Sequence, residues 1–546
     1  WSHSYSYTVQ NLNDTAWDVS YPDGHTSRFI PIANSGGLSF PLYPGTYDSL
    51  VNTSSGDFWM YTKEMDVFKF DNKGVLYNIT DANGNQTNLS YSSGNLTTVA
   101  GPGGRSLSFS YNSNGQIISA TTPLSRTSKY GYDGNGDQIY SISPNGDTTK
   151  ISYNNHYLMT VTDPLGNVTL TNTYNGQGEM INQADAYNNN TSFAYNTPSN
   201  GYATVTLPGN SKSIYHHDNS YRLVKSIDPY GNSHTINYDG NNNPDTSINE
   251  SKHLSIFQYD NKGNAIVQSL VGNKTIKSTF NRFSKPNQII DPKGRKTKFT
   301  YDSNGNPLTI KLPDNSTRTF TYNSSGTTKL YISGNNDTSQ YFYNSYGDLI
   351  KVVSPIGVTT YTYDADGRLT TITDPMGNST YITYDSNGNI ISIRDALNQY
   401  EHYFYNKNNK LILFKNKRKC TTRYFYDKKD RVVARKNAVG DYDSIFYDFR
   451  DNPIRWKDAL GQSTYYTHDS LNRITSVTNY AGTIRYKYDA VGNLILIIDQ
   501  NGNPINIGYS SANLIDSLMD PLKRVNQMLY DNTDNLVKKI DFRNKS

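Results

Sequence analysis

The chain restarts about every 21 residues, and that period limits its fold more than any other property it has. Residues 363–383 read YDADGRLTTITDPMGNSTYIT, and the line that follows opens YDSNGNIISIRDALNQYEHYF. Marking the position of Tyr363 and moving both ways gives Phe70, Tyr91, Tyr111, Tyr132, Tyr153, Tyr174, Tyr195, His217, Tyr238, Tyr259, Phe280, Tyr301, Tyr322 and Tyr343 before it. After it come Tyr384, Tyr405, Tyr426, Tyr447, His468, Tyr488, Tyr509 and Tyr530. These 23 marks stand 20 to 22 residues apart, so the array runs over 70–546 and leaves 1–69 as an N-terminal lead-in.

Each unit carries two turn signals. In Asp385-Ser386-Asn387-Gly388 an Asx residue opens a type I turn and a glycine able to take positive φ closes it. Half a repeat earlier, Asp374-Pro375-Met376-Gly377 places a proline at the second turn position, a pattern repeated at Asp163-Pro164, Asp228-Pro229 and Asp291-Pro292. The runs between turns are about six residues, a strand's length, and leave no room for helices. Two residues before 20 of the 22 marks from Tyr91 onward stands an apolar or aromatic residue; only Asn172 and Ser278 differ. Period two held through that many copies predicts one long antiparallel sheet, with each mark and the residue two before it buried on a common face.

Two strands per repeat make about 46 strands, a ribbon roughly 220 Å long and ~20 Å wide. Left open, it would wet its aromatic face, and sheets of that length curl or close. The pattern therefore predicts an all-β fold: 21-residue hairpins spiralling into a hollow shell with the aromatic face inward. Hydrophobic residues are only 35% of the chain but tyrosine contributes 47, so the core must be made largely of tyrosine rings whose hydroxyls reach water or a partner. With Cys420 as the one cysteine, no disulfide can form within the chain, and no run of 18 apolar residues offers a membrane span. The sequence opens at Trp1 without methionine and stops at Ser546 part-way through a repeat, which reads as an excerpt of a longer protein. Sixteen Asn-x-Ser/Thr sequons, Asn78, Asn85, Asn88 and Asn167 among them, are about what a chain this rich in Asn, Ser and Thr yields by chance.

The unit Tyr-Asp-x-x-Gly-Asn/Arg-Leu/Ile, followed by Asp-Pro-x-Gly-Asn-x-Thr, resembles the YD repeat of Rhs proteins, bacterial wall-associated proteins, insecticidal Tc toxin subunits and animal teneurins. The lead-in, with YPDGHTSRF and then GDFWMYTKEMDVFKFDNKGVLYNITDANGNQTNLSY, resembles the flank of an Rhs core. The resemblance implies a secreted or surface-exposed β-shell enclosing a C-terminal effector polypeptide, often a toxin, that is not part of this chain. Rhs cores end in an Asp-Pro-x-Gly-Leu type cleavage motif; here the last Asp-Pro reads Asp520-Pro521-Leu522-Lys523-Arg524, so neither self-cleavage nor a toxin is assigned.

Catalytic and metal chemistry find no support in the pattern. The Asp-rich turn at 133–137 suggests a calcium loop, but the twelfth position after Asp133 is Pro144 where a bidentate Glu is needed. His216 and His217 are adjacent in a strand and point to opposite faces. The expectation is a non-enzymatic protein without cofactor. One anomaly stands out. The residue before the mark, normally small and polar, is Phe404, Phe425 and Phe446 in three consecutive repeats, with Phe342 earlier. They form a row on the otherwise polar face, within a stretch, 401–460, that holds 15 Lys/Arg against 8 Asp/Glu. Either another part of the shell or a missing terminal domain covers the row, or it is a docking patch with Lys407, Lys417, Arg418, Lys419 and Arg423 for a protein or an anionic glycan. A formal charge of +4, with strand bases alternating with acids, disfavours nucleic acid. Beside the container stands a second reading, a structural or adhesive surface protein that binds glycans, other cells or copies of itself.

Overall fold

The computed structural model describes residues 3–543 apart from 13–14, 34, 43–44, 46, 197–200, 272–273 and 532–533; the termini Trp1 and Ser546 lie outside the described residues. It contains 52 strands and no helix among those residues, numbered in chain order from β1 (Thr8–Asn11) to β52 (Leu536–Ile540). Each strand pairs antiparallel with the next, from β1 with β2 (Trp17–Ser20) to β51 (Val525–Tyr530) with β52, so the sheet is one unbroken meander.

Asx chemistry forms both kinds of turn. At Asp385 the carboxylate accepts the backbone N–H of Asn389 at 2.8 Å and the Asn389 side-chain amide at 2.9 Å. At Asp374 the same two bonds come from Asn378, at 2.8 and 3.0 Å. Where arginine replaces that asparagine, as Arg368 does, its guanidinium bonds Asp364 at 2.7 Å and stacks over the ring of the next mark, Tyr384, 4.7 Å from its centroid. Hence the alternation of Asn and Arg after the turn glycine. Gly388 (φ 94°) and Gly377 (φ 83°) take the left-handed conformation that closes each turn. At the marks other than Tyr195 the register slips by one residue: Thr300 faces Thr309 but Tyr301 faces Pro307. This bulge, repeated along the array, bends the strand and adds twist, which coils the sheet.

Coiling brings distant turns together with a recurring step. The half-repeat turn after β10 (Asn95–Ala100) meets the mark turn after β33 (Thr338–Tyr343), where Arg105 makes a two-pronged bond to Asp348 at 2.5 and 2.7 Å. The turn after β18 (Met180–Asp185) meets that after β41 (Thr421–Tyr426), where Lys429 bonds Asp185 at 2.7 Å. The turn after β28 (Pro286–Ile290) meets that after β51, where Lys293 bonds Asp531 at 2.5 Å. In each case 23 strands separate the partners, an odd number that sets the half-repeat edge of one winding on the mark edge of the next. At ~4.8 Å per strand a winding measures about 110 Å around, roughly 35 Å across.

The strands alternate as expected: in β29 (Lys296–Tyr301) Thr297, Phe299 and Tyr301 are half-buried while Lys296, Lys298 and Thr300 are exposed. The degree of burial departs from expectation. Along most of the array the mark and the residue two before it are half-buried rather than buried, and Tyr195 is 48% exposed. The reason is that this wall is one sheet thick and its inner face looks onto an open lumen, with no second layer against it. Full burial occurs at the N-terminal end instead. There Phe29 and Val19 from the lead-in, with Leu50 and Met60, pack with Phe70, Leu76, Leu89, Leu96 and Val99 into a closed core, 0–6% exposed. Tyr5, Tyr7, the mark Tyr91 and Phe109, two residues before the mark Tyr111, pack against it.

Candidate functional site

The inner face is a ladder of phenols. Tyr322 donates its hydroxyl hydrogen bond to the Pro307 carbonyl at 2.8 Å, and Tyr301 to that of Pro286 at 2.7 Å. The same contact, about 15 residues back, joins Tyr91 to Leu76, Tyr111 to Leu96, Tyr132 to Ile117, Tyr363 to Leu349 and Tyr384 to Leu369. Further on it joins Tyr405 to Ile390, Tyr426 to Leu411, Tyr447 to Val432, Tyr488 to Ile474 and Tyr530 to Ile515. Pairing between β30 (Pro307–Lys311) and β31 (Thr317–Tyr322) begins only at Thr309, so the Pro307 carbonyl lies beyond the backbone ladder. The phenol supplies the missing donor. Phenylalanine would line the lumen equally well but leave that carbonyl unpaired. The sequence shows the tyrosines but not this partner, because the orphan carbonyl arises from the bulge.

Burial, first of all, raises the pKa of these phenols; in Tyr91, with Tyr111 and Asp71 nearby, it reaches about 12. Tyr301, Tyr322 and Tyr405 are raised for the same main reason. The lumen is therefore lined by neutral aromatic groups. The turn carboxylates go the opposite way. Burial would push Asp185 up, but the Lys429 ammonium, the Asn189 amide and the turn N–H groups outweigh it and bring it down to about 2.

Phe404, Phe425 and Phe446 lie on the outer face, each 40–48% exposed, and Phe342 is 42% exposed. Arg455 stacks over Phe446, 3.7 Å from its centroid, and Phe425 meets Tyr442 with ring centroids 5.7 Å apart. Of the basic residues grouped with them, only Arg423 shares their face, two positions from Phe425 in β41. Lys407 is in a mark turn, while Lys417, Arg418 and Lys419 are in a half-repeat turn at the opposite edge of the strip. Lys417 is held by Asp395 at 3.0 Å. The four named sequons have committed side chains. The Asn78 amide bonds Asn88, Asn85 bonds Asp81 and the Ser325 carbonyl across the windings, and Asn167 bonds Asp163.

The Asp133 carboxylate accepts the N–H groups of Asn135 and Asp137, both at 2.9 Å, as an ordinary turn aspartate does. Among the described residues no group of three His, Cys, Asp or Glu is placed to hold a metal ion, and no helix is long and apolar enough to cross a membrane. A cleft of about 960 Å³ opens at the joint between windings, beside Gly103, Gln340, Phe342 and Tyr346.

The Teneurin YD-shell family model matches residues 4–135, 246–382 and 327–462, well over half of the chain. The chain belongs to the YD-shell family. The RHS Repeat model matches residues 468–504. Among solved structures, the YD shell resembles that titled "Crystal Structure of TcdB2-TccC3", with a TM-score of 0.58 at 13% identity over 98% of this chain. The structures of TcdB2-TccC3-TEV and TcdB2-TccC3-Cdc42 follow, each with a TM-score of 0.57 at 12% identity over 98% of this chain. The chain spans about one third of those structures, 34% of the first and 36% of the other two. At that identity the likeness is one of fold. No curated protein sequence matches the YD shell described here.

Proposed function

We propose that this YD shell is a non-enzymatic container that encloses and carries a polypeptide effector. The observation that carries the reading is the half-exposed inner ladder. A protein that needed only a stable core would close aromatic rows against a second layer, as the N-terminal end does. Here the rows stay open to the lumen along two windings. Side chains reach about 5 Å from each wall, so the free bore is about 25 Å. That is tighter than a small folded domain of ~30 Å, and it suits an extended chain whose apolar side chains rest on neutral phenols. The effector follows the array, as the resemblance to Rhs and Tc toxin subunits implies, and the setting is extracellular. Limited proteolysis of the intact gene product tests this. Peptides C-terminal to the array are expected to survive while the shell is native and to be cut once denaturant opens it; cleavage at equal rates in both states overturns the container.

A second reading, adhesion at a cell surface, draws on the exposure of Phe404, Phe425 and Phe446. Contiguous apolar groups on an outer face invite association with a protein or glycan. Arg423 is the cation placed to assist them.

A further inference from the structure

Charges sort by face in the stretch 401–460. Of its eight acidic residues six, Asp427, Asp430, Asp441, Asp448, Asp451 and Asp458, lie in turns at the edges of the strip. The two on strands, Glu401 and Asp443, share the parity of the marks and face the lumen. There Glu401 accepts the Tyr403 hydroxyl and Asp443 holds Arg435 at 2.5 Å. Among the described residues the outer face of the strands from 390 to 457 carries no acid. It carries a file of cations instead: Arg394 closes β38 (Ile390–Arg394), Lys415 closes β40 (Leu411–Lys415), Lys436 closes β42 (Val432–Lys436) and Lys457 closes β44 (Pro453–Lys457).

The four recur at the 21-residue period, so neighbours stand two strands, ~10 Å, apart. Lys415 faces His402, Lys436 faces Arg423 and Lys457 faces Ser444, each two positions along the strand from Phe404, Phe425 or Phe446. The file therefore runs beside the phenylalanine row, ~7 Å from it. Nearby Lys410, Lys417 and Arg435 are paired with Asp430, Asp395 and Asp443. Among the described residues the four of the file have no carboxylate partner; Arg394 bonds the Asn398 amide oxygen at 2.9 Å. Exposed tyrosines widen the aromatic surface. Arg394 lies over the Tyr381 ring, 3.8 Å from its centroid, and Tyr400 stacks on His402 with ring centroids 5.6 Å apart. Windings join edge to edge through their turns, so this broad outer face stays open however many windings the shell has.

We propose that the strip binds an acidic linear polysaccharide laid across the strands, its carboxylate or sulfate groups on the cation file and its sugar rings on the phenylalanine row. The proposal rests on the adhesive reading of that row and names its ligand. Charge fixes the sign, because Arg423 and Arg455 add to the file on a face without acids. Charge density fixes the class. B-DNA carries one charge per ~1.7 Å of its axis, so a file with one cation per ~10 Å would leave most phosphates unmatched. A polysaccharide charged on only some of its sugars is spaced more like the file. The C–H faces of its rings pack on the electron-rich faces of Phe404, Phe425 and Phe446. An anionic bilayer fits worse, since it would press the Asp-bearing turns at both edges onto its headgroups.

Binding of the purified shell to heparin, a sulfated chain, and to hyaluronate, a carboxylated one, is the test, with dextran as the uncharged control. Expected is binding to at least one acidic chain at physiological salt and none to dextran. The variant Arg394→Gln, Lys415→Gln, Lys436→Gln and Lys457→Gln loses four exposed ion pairs together and is expected to bind about tenfold more weakly, with an unchanged circular dichroism spectrum. A control variant, Lys277→Gln, Lys296→Gln, Lys298→Gln and Lys311→Gln, removes the same charge from outward positions of β27 (Lys274–Phe280), β29 and β30, where no outward phenylalanine stands beside them. It is expected to bind as wild type does. Replacing Phe404, Phe425 and Phe446 with Thr is expected to weaken binding even where added salt screens the charges. No binding to either acidic chain, an equal loss in the control variant, or tighter binding to single-stranded DNA or to phosphatidylserine vesicles overturns the proposal. If cells retain the four-Gln variant but not the Phe→Thr variant, the acidic ligand is overturned and the adhesive reading stands. If cells retain both variants as they do wild type, both fall.

Discussion

The N-terminal end and the array solve burial in opposite ways. In the lead-in, side chains from strands before Phe70 fold over the first repeats, and Phe29, Leu50, Met60 and Phe70 lose essentially all contact with water. In the array the same kinds of side chain line one face of a single sheet and stay half-exposed. The first region is held by hydrophobic closure, cooperative and sensitive to any cavity. The second is held by repetition: most mark tyrosines bond one carbonyl of the repeat before, and half-repeat turns of the first winding such as those of Arg105, Arg126 and Asp185 bond a turn 23 strands on. Damage should spread in the first and stay local in the second.

Phe29→Ala probes that contrast most strongly. It empties a fully buried aromatic site, a change that costs about 3 to 5 kcal/mol in packed cores. Chemical denaturation should show the loss, with hydrogen exchange rising throughout the lead-in and the first repeats together. Tyr301→Ala should cost less, about 1 to 3 kcal/mol, because its ring is half-exposed and less apolar area is lost. Exchange should rise in β28 to β31 and stay unchanged in distant repeats. Equal losses at the two sites would break the comparison. Tyr301→Phe sharpens it: keeping the ring and removing the donor leaves the Pro286 carbonyl unpaired, worth about 1 kcal/mol.

Acid and alkali should loosen the array from different sides. The Asp185 carboxyl falls from its usual 3.8 to about 2, so the stability it lends the joint is full above pH 3.8 and is lost as pH falls through about 2. The Tyr91 phenol is raised from 10.0 to about 12, so its share is full below pH 10 and is lost as pH climbs through about 12. Spectroscopic titration of tyrosinate should show the mark tyrosines ionising above free tyrosine. Lysine footprinting should show Lys429 released in acid before the strands separate. Normal phenol titration, or a Lys429 that stays protected until the strands part, would remove the electrostatic distinction between ladder and core.

Much of this architecture was legible in the residues. The spacing of the marks gives the strand count of the array, and the Leu89, Phe109 and Phe299 positions give its inner face. Asp385 and Asp374 already declare their turns. The 23-strand step was not legible, because it depends on twist summed over many bulges rather than on any one motif. The partner of Tyr322 was hidden for the same reason, since the Pro307 carbonyl is freed only by the register slip. In the outer patch the phenylalanine row followed from alternation along single strands. Grouping Lys407 with Lys417 followed only from nearness in sequence, and the strip places them at opposite edges.

The smallest expected effect concerns that row. Replacing Phe404, Phe425 and Phe446 with Thr, the residue that Thr300, Thr321 and Thr383 supply at the same position, should leave the shell folded with Tm little changed. Two facts support a small effect. The rings are already 40–48% exposed, and their cross-strand partners Leu413, Ala434 and Arg455 belong to the outer face rather than to the ladder. Threonine also suits a half-exposed strand, which offsets part of the lost contact. The specific losses are the stacking of Arg455 on Phe446, worth about 0.5 to 1 kcal/mol at an exposed site, and the ring contact of Phe425 with Tyr442. Thermal denaturation compares the stabilities, and retention on immobilised cell-surface glycan or on whole cells reads the adhesive function. Unchanged Tm with lost retention assigns the row to binding. A Tm drop like that of Phe29→Ala would mean that the outer face is as structural as the N-terminal core, and the contrast between the two regions would fail.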